Sequence, residues 1–142
     1  MTQDEKDFFD HEEDKLRDEC GFCGIFQNAP KGDVPPSDKN EPYSTAEFNA
    51  AQKVYYALYA LQHRGQDSAG IAVSDGSEVK IHKAMGAVSE VFNPENLGKL
   101  QGRIALGHVR YATAGSCSIE NAQPMVQSSK LGTIAVAHNG QL

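Results

Sequence analysis

At the Glu19–Cys20 bond the sequence changes character, and that step limits what the chain can fold into. Residues 1–19 carry nine acids and three bases, a net charge of -6. Phe8, Phe9 and Leu16 are almost their only large apolar side chains, too few to bury a core. From Cys20 onward acids and bases are ten each, and apolar residues begin to alternate at once in Cys20-Gly21-Phe22-Cys23-Gly24-Ile25-Phe26. Any packed domain therefore starts at residue 20, with the leader either a solvated tail or a removable propeptide. If the bond before Cys20 is cut, Cys20 becomes the N-terminus. Its own α-amino group, titrating near ~7.7–8.0, can then serve as base to its thiol.

The rest of the composition narrows the field. At 142 residues with 39% hydrophobic content the chain suits one modest globular domain. No run approaches the ~20 apolar residues of a membrane span, and the acidic start is unlike a signal or transit peptide. The overall acidity gives no reason to expect nucleic acid or an anionic membrane as partner. Three cysteines close no disulfide framework and fit a reducing cytoplasm. Cys20-x-x-Cys23 is weighed as a metal or redox pair and set aside. Cys117 and scattered histidines complete no zinc set, and a thioredoxin-type pair opens a helix, whereas Cys20–Gln27 reads as a strand.

Periodicity then places the elements. Residues 28–42, with Pro30, Pro35, Pro36 and Pro42, read as a surface loop. Ser44-x-x-Glu47 is a capping box, and Phe48, Ala51, Tyr55, Leu58 and Gln62 trace the apolar stripe of a helix over 45–62. His63 to Gly70 reads as a polar turn. Strands are expected over 70–74 and 79–83, joined at Asp75-Gly76. Residues 88–92 read as a short strand or extended piece, and 94–100 as a short helix opened by Asn93 and Pro94. Residues 104–111 and 132–138 read as buried strands, each ending in polar residues: His108-Val109-Arg110-Tyr111 and His138-Asn139-Gly140.

An amide-cleaving nucleophile needs donors for its oxyanion and an anchor for the charged end of its substrate. Asn139-Gly140 can supply the donors, though on local sequence alone an ordinary Asn-Gly hairpin turn is the favoured reading. Arg110, at a strand end, can fork onto a carboxylate or simply be a surface arginine in a salt bridge.

Together the motifs resemble the N-terminal glutaminase domain of the amidophosphoribosyltransferase family. The residues carrying it are Cys20-Gly21-x-x-Gly24-Ile25, Leu61-Gln62-His63-Arg64-Gly65-Gln66-Asp67-Ser68-Ala69-Gly70-Ile71, Gly107-His108-Val109-Arg110-Tyr111-Ala112-Thr113-Ala114-Gly115, Asn121-Ala122-Gln123-Pro124 and Ala137-His138-Asn139-Gly140. They follow one another in family order. Sister families share the first motif, but the Gln62-His63-Arg64-Gly65-Gln66 turn and Tyr111 after the arginine favour this family over glucosamine-6-phosphate synthase. Another class II amidotransferase, or a non-catalytic truncated relic, is the alternative.

The resemblance implies an α+β chain with the N-terminal-nucleophile hydrolase fold, a four-layer αββα sandwich, here incomplete. It implies Cys20 as nucleophile, Asn139 and Gly140 as oxyanion hole, and Arg110 on the glutamine α-carboxylate. Thr113 is a further substrate-binding candidate, and Arg64 orders the loop over Cys20. Residues 1–19 would be the propeptide and 20–142 the first part of the glutaminase domain. Glutamine is the implied substrate, and phosphoribosyl pyrophosphate reacts on a further domain beyond Leu142. An aspartate that grips the glutamine α-amino group would also lie there. The resemblance further implies a cytoplasmic homo-oligomer. No cofactor or metal is expected in this segment; magnesium, and an iron–sulfur cluster in members with propeptides, belong to the part beyond it. Residues 28–42 look like an insertion, and residues 20–142 alone are expected to be a poor enzyme.

Overall fold

The computed structural model describes residues 20–28, 49–111 and 118–139. The propeptide, the 28–42 insertion beyond its first residue, the Ser44–Glu47 capping box, Thr113, Cys117 and Gly140 lie outside them. The first strand, β1 (Gly21–Phe26), forms as expected. The helix, α1, runs from Ala50 to Ala60; residues 45–48 of its expected span lie outside the described residues. Asn49 is extended and caps it, its side chain accepting from the Ala51 amide at 3.1 Å. Past Ala60 the chain tightens into a 3-10 turn over Gln62–Arg64.

Strand β2 (Ser68–Ser74) takes in Ser68 and Ala69, which the sequence reading left in the polar turn. It is buried along nearly its whole length, so alternation does not mark its start. It pairs with β3 (Val79–Met85) across a turn in which the Asp75 carboxylate accepts from the Ser77 hydroxyl at 2.7 Å and the Ser77 amide at 2.8 Å. Those bonds, the hydroxyl first, hold the Asp75 carboxyl down to about 2.

Residues 88–92 overturn the expectation of an extended piece. Val88–Val91 is a helical turn, α2. Its two buried valines sit three apart and enter the core together, which helical spacing allows and a strand does not. Glu90 accepts from the Ala87 amide at 2.9 Å, and the Gln62 side chain accepts from the Val88 amide at 2.6 Å. Helix α3 (Pro94–Lys99) begins at Asn93 as expected, with the Asn93 side chain accepting from Asn96 N at 2.9 Å.

Strand β4 (Ile104–Arg110) completes a four-stranded antiparallel sheet in the order β1-β4-β2-β3. Helix α1 covers one face. Ala50, Ala51, Val54 and Leu58 meet Ala69, Ile71, Val73, Ala105 and Val109, with α2, Phe92 and Leu100 closing the cluster. Full burial of Leu58, Ile71, Val54 or Val109 stabilises by about 1.5–3 kcal/mol each. Gly107 is where the helix comes closest: a Cβ there would overlap Val54 and lie 2.8 Å from Leu58 Cδ1. Both neighbours are fully buried and cannot swing away. Gly107→Ala is therefore expected to cost about 1–3 kcal/mol, read as a lower unfolding midpoint in urea.

Beyond the sheet lie β5 (Met125–Ser129), where no strand was expected, and β6 (Gly132–Val136). They form a separate two-stranded ribbon. The strand expected over 132–138 ends two residues early, and it is not buried: Ile134 is 64% exposed and Val136 48%. An apolar run reports what a strand can bury, not what covers it among the described residues. The ribbon is joined to the first sheet through Ala122–Pro124, whose Gln123–Pro124 bond is cis, and through His138.

Candidate active site

The register of β1 on β4 creates the site. Gly21 pairs with Val109, so Cys20 falls beside the end of β4 at Arg110 and Tyr111. Its Sγ lies 3.3 Å from the Tyr111 amide nitrogen and 3.5 Å from the Tyr111 carbonyl oxygen. The amide can donate to the sulfur, and the thiol to the carbonyl. Arg64, from the 3-10 turn, donates through Nε to the Cys20 carbonyl at 3.4 Å. Just past that turn the Asp67 amide donates to the Arg110 carbonyl at 3.0 Å, stitching the chain to β4.

Cys23 takes the other face. Strand alternation places it with Gly21 and Ile25 under α1, where it packs against the core. Burial pushes its thiol up, which disfavours the reactive thiolate.

Arg110 stands opposite Ser68 on β2 and is only 9% exposed. The reading of an ordinary surface arginine therefore fails. Asn139, exposed, follows His138 just beyond β6. Thus Cys20, Arg110 and Arg64 are brought together at one end of the sheet. Asn139 is tied to the same sheet through its neighbour, while Thr113 and Gly140 lie outside the described residues.

Two site-supporting residues escaped the sequence reading as individuals. His108, fully buried on β4, lies 3.1 Å through Nε2 from the His138 carbonyl oxygen. The Gln123 side-chain oxygen accepts from the His138 amide at 2.7 Å. Both lie in stretches that carry the resemblance, but nothing there singles out either side chain: His108 is one polar residue in an apolar strand, and Gln123 one of several polar residues around it. Lys83 donates to the Ala122 carbonyl, fixing the chain just before Gln123.

Burial, together with the nearby His138 and Arg110, pulls His108 down to about 4, against a weaker upward pull from its bond to the His138 carbonyl. The folded state therefore holds this imidazole neutral where an unfolded chain would protonate it. As pH falls from about 6.5 towards 4, the unfolded state binds the extra proton, and the contribution, in all roughly 3 kcal/mol, is lost. His108→Gln is expected to remove that part of the acid sensitivity. Urea unfolding midpoints of both proteins at pH 7 and pH 5 would show it, and parallel losses would count against it.

Among the described residues no group of three or more His, Cys, Asp or Glu side chains gathers. No described helix is long and apolar enough to cross a membrane.

An antiparallel sheet with a helix on one face, a separate two-stranded ribbon tied to it, and a strand-leading cysteine at its end is the N-terminal-nucleophile fold of class II glutamine amidotransferases, in part. Among solved structures, glutamine phosphoribosylpyrophosphate amidotransferase from B. subtilis, complexed with ADP and GMP, matches with a TM-score of 0.61 and 37% identity, over 84% of this chain and 21% of that one. A second, described as the allosteric regulatory enzyme of purine biosynthesis, matches with a TM-score of 0.58 and 48% identity, over 61% of this chain and 19% of that one. No family model matches. The amidophosphoribosyltransferase of Methanothermobacter thermautotrophicus is 45% identical over 130 residues, 92% of this chain and 24% of the relative. That of Synechococcus elongatus is 59% identical over 92 residues, 65% of this chain and 19% of the relative. That of Rattus norvegicus is 44% identical over 135 residues, 92% of this chain and 24% of the relative. The matched stretch belongs to the amidophosphoribosyltransferase family, and the chain spans about a quarter of the length of these curated relatives.

Proposed function

We propose that this chain is the glutaminase portion of an amidophosphoribosyltransferase, hydrolysing glutamine to glutamate and ammonia with Cys20 as nucleophile. The observation that carries the reading is the placement of Cys20 Sγ against Tyr111, one residue beyond the buried Arg110. The two residues assigned here as nucleophile and carboxylate anchor share one sheet end although 90 residues separate them.

In this reading, cleavage before Cys20 frees its α-amino group, which takes the thiol proton. The sulfur attacks the glutamine side-chain carbonyl carbon, and the oxyanion is met by the Asn139 carboxamide and the Gly140 amide. The proton passes to the departing nitrogen, ammonia leaves, and water then releases glutamate from the thioester. Arg110 receives the α-carboxylate, and Arg64 holds the Cys20 backbone in place. Elsewhere in the whole protein the ammonia meets phosphoribosyl pyrophosphate and gives phosphoribosylamine, at the start of purine synthesis.

The test is a glutaminase assay on the full-length gene product, with intact-mass analysis and a glutamine-analogue label. Cys20 should be the first residue of the mature protein and the single labelled site. An active protein that retains Met1 would remove the self-base mechanism. Arg110→Lys should raise KM for glutamine about 10-fold or more and change kcat less, because lysine lacks the planar fork that matches a carboxylate. An unchanged KM would take Arg110 out of the site.

A further inference from the structure

We infer that His108 is a positioning residue for the oxyanion hole: with Gln123 it brackets the backbone of His138 and so fixes where the next residue, Asn139, presents its carboxamide. The inference rests on the assignment of Asn139 proposed above and concerns how that side chain is held.

The bracket closes from two sides. Gln123 Oε1 accepts from the His138 amide at 2.7 Å, and His108 Nε2 meets the His138 carbonyl oxygen at 3.1 Å. A carbonyl can only accept, so the proton of the neutral ring belongs on Nε2. Nδ1 agrees, since it is buried and has no hydrogen-bond partner among the described residues.

Both arms of the bracket stand on the rigid part of the fold. His108 pairs directly with Gly70 in the middle of the sheet. Gln123 is 5% exposed and lies over Gly70, anchored one residue earlier by the bond from Lys83 to the Ala122 carbonyl. The strand that ends in Arg110 thus also holds the segment that leads to Asn139. The bracket fixes the peptide before the donor without touching the substrate, so its effect belongs to the transition state rather than to binding.

The variants to compare are His108→Leu, which removes the donor, and His108→Gln, whose amide can restore it at the Nε2 position. Both are made in the full-length gene product, with kcat expressed per Cys20 labelled by a glutamine analogue. Expected for His108→Leu is a fall in kcat of about 10–100-fold with KM for glutamine within about twofold, since an oxyanion contact exists only in the transition state. His108→Gln should recover most of the loss. If His108→Leu does not fold, Gln123→Leu breaks the bracket from its other side and should give the same kcat-only signature. An unchanged kcat per labelled site, a loss confined to KM, or a His108→Gln variant no better than His108→Leu would overturn the inference. An unsubstituted protein without glutaminase activity would instead overturn the functional reading on which it stands.

Discussion

Cys20→Ser is expected to reduce glutamine-dependent turnover of the full-length gene product by at least about a thousandfold, while turnover with added ammonia survives. A serine hydroxyl is a far weaker nucleophile than a thiol near neutral pH, and the α-amino base is too weak to ionise it. Ammonia added from solution needs no amide cleavage, so the second reaction should not notice the change. Cys23→Ser is the matched control. Cys23 lies on the opposite face, packed among core residues beneath α1, and serves no step of the proposed chemistry. Its replacement should lower stability modestly and leave kcat within about threefold, in the range of a partly buried polar swap. Equal loss of glutamine-dependent activity from both substitutions would place the nucleophile elsewhere. Loss of the ammonia reaction in Cys20→Ser would point to a damaged fold rather than a missing thiol.

How much of this could be read from the sequence depends on the kind of signal. Strand β1, α1, the β2–β3 hairpin, α3 and β4 announced themselves through periodicity, caps and turn residues, all of which act locally. What failed was set by packing at a distance. Val88 and Val91 favour a strand by propensity but enter the core as one helical turn, because Gln62 and Glu90 satisfy its first amides. Strand β5, Met125–Ser129, carries too few apolar residues to stand out. The site followed the same division. Cys20 and Arg110 were legible as chemistry, and their meeting follows once β1 pairs with β4. The support from His108, Gln123 and Lys83 was not legible, because each acts through a backbone group whose position only the folded chain defines.

Gly70→Ala is expected to damage both stability and catalysis, and the reason separates it from Gly107→Ala. At Gly107 a methyl group meets side chains of α1, and the strain stays inside the core. At Gly70 it would overlap the backbone carbonyl of Gln123 and come within 2.7 Å of Lys83 Cβ. A backbone carbonyl cannot rotate aside without moving its segment, so Ala122–Pro124 must lift from the sheet. That movement pulls Gln123 from the His138 amide and Lys83 from the Ala122 carbonyl. A cost of about 3 kcal/mol is expected, the upper part of the usual range for overpacking. On the proposed mechanism Asn139 shifts with its neighbour, and a displacement on the order of 1 Å at a catalytic donor can lower kcat about 100-fold. Gly107→Ala should melt at lower temperature yet keep its kcat per labelled Cys20, whereas Gly70→Ala should lose both. A Gly70→Ala protein with unaltered melting and unaltered kcat would show that the Ala122–Pro124 segment does not press on this strand, and the path from the sheet to Asn139 would have to be abandoned.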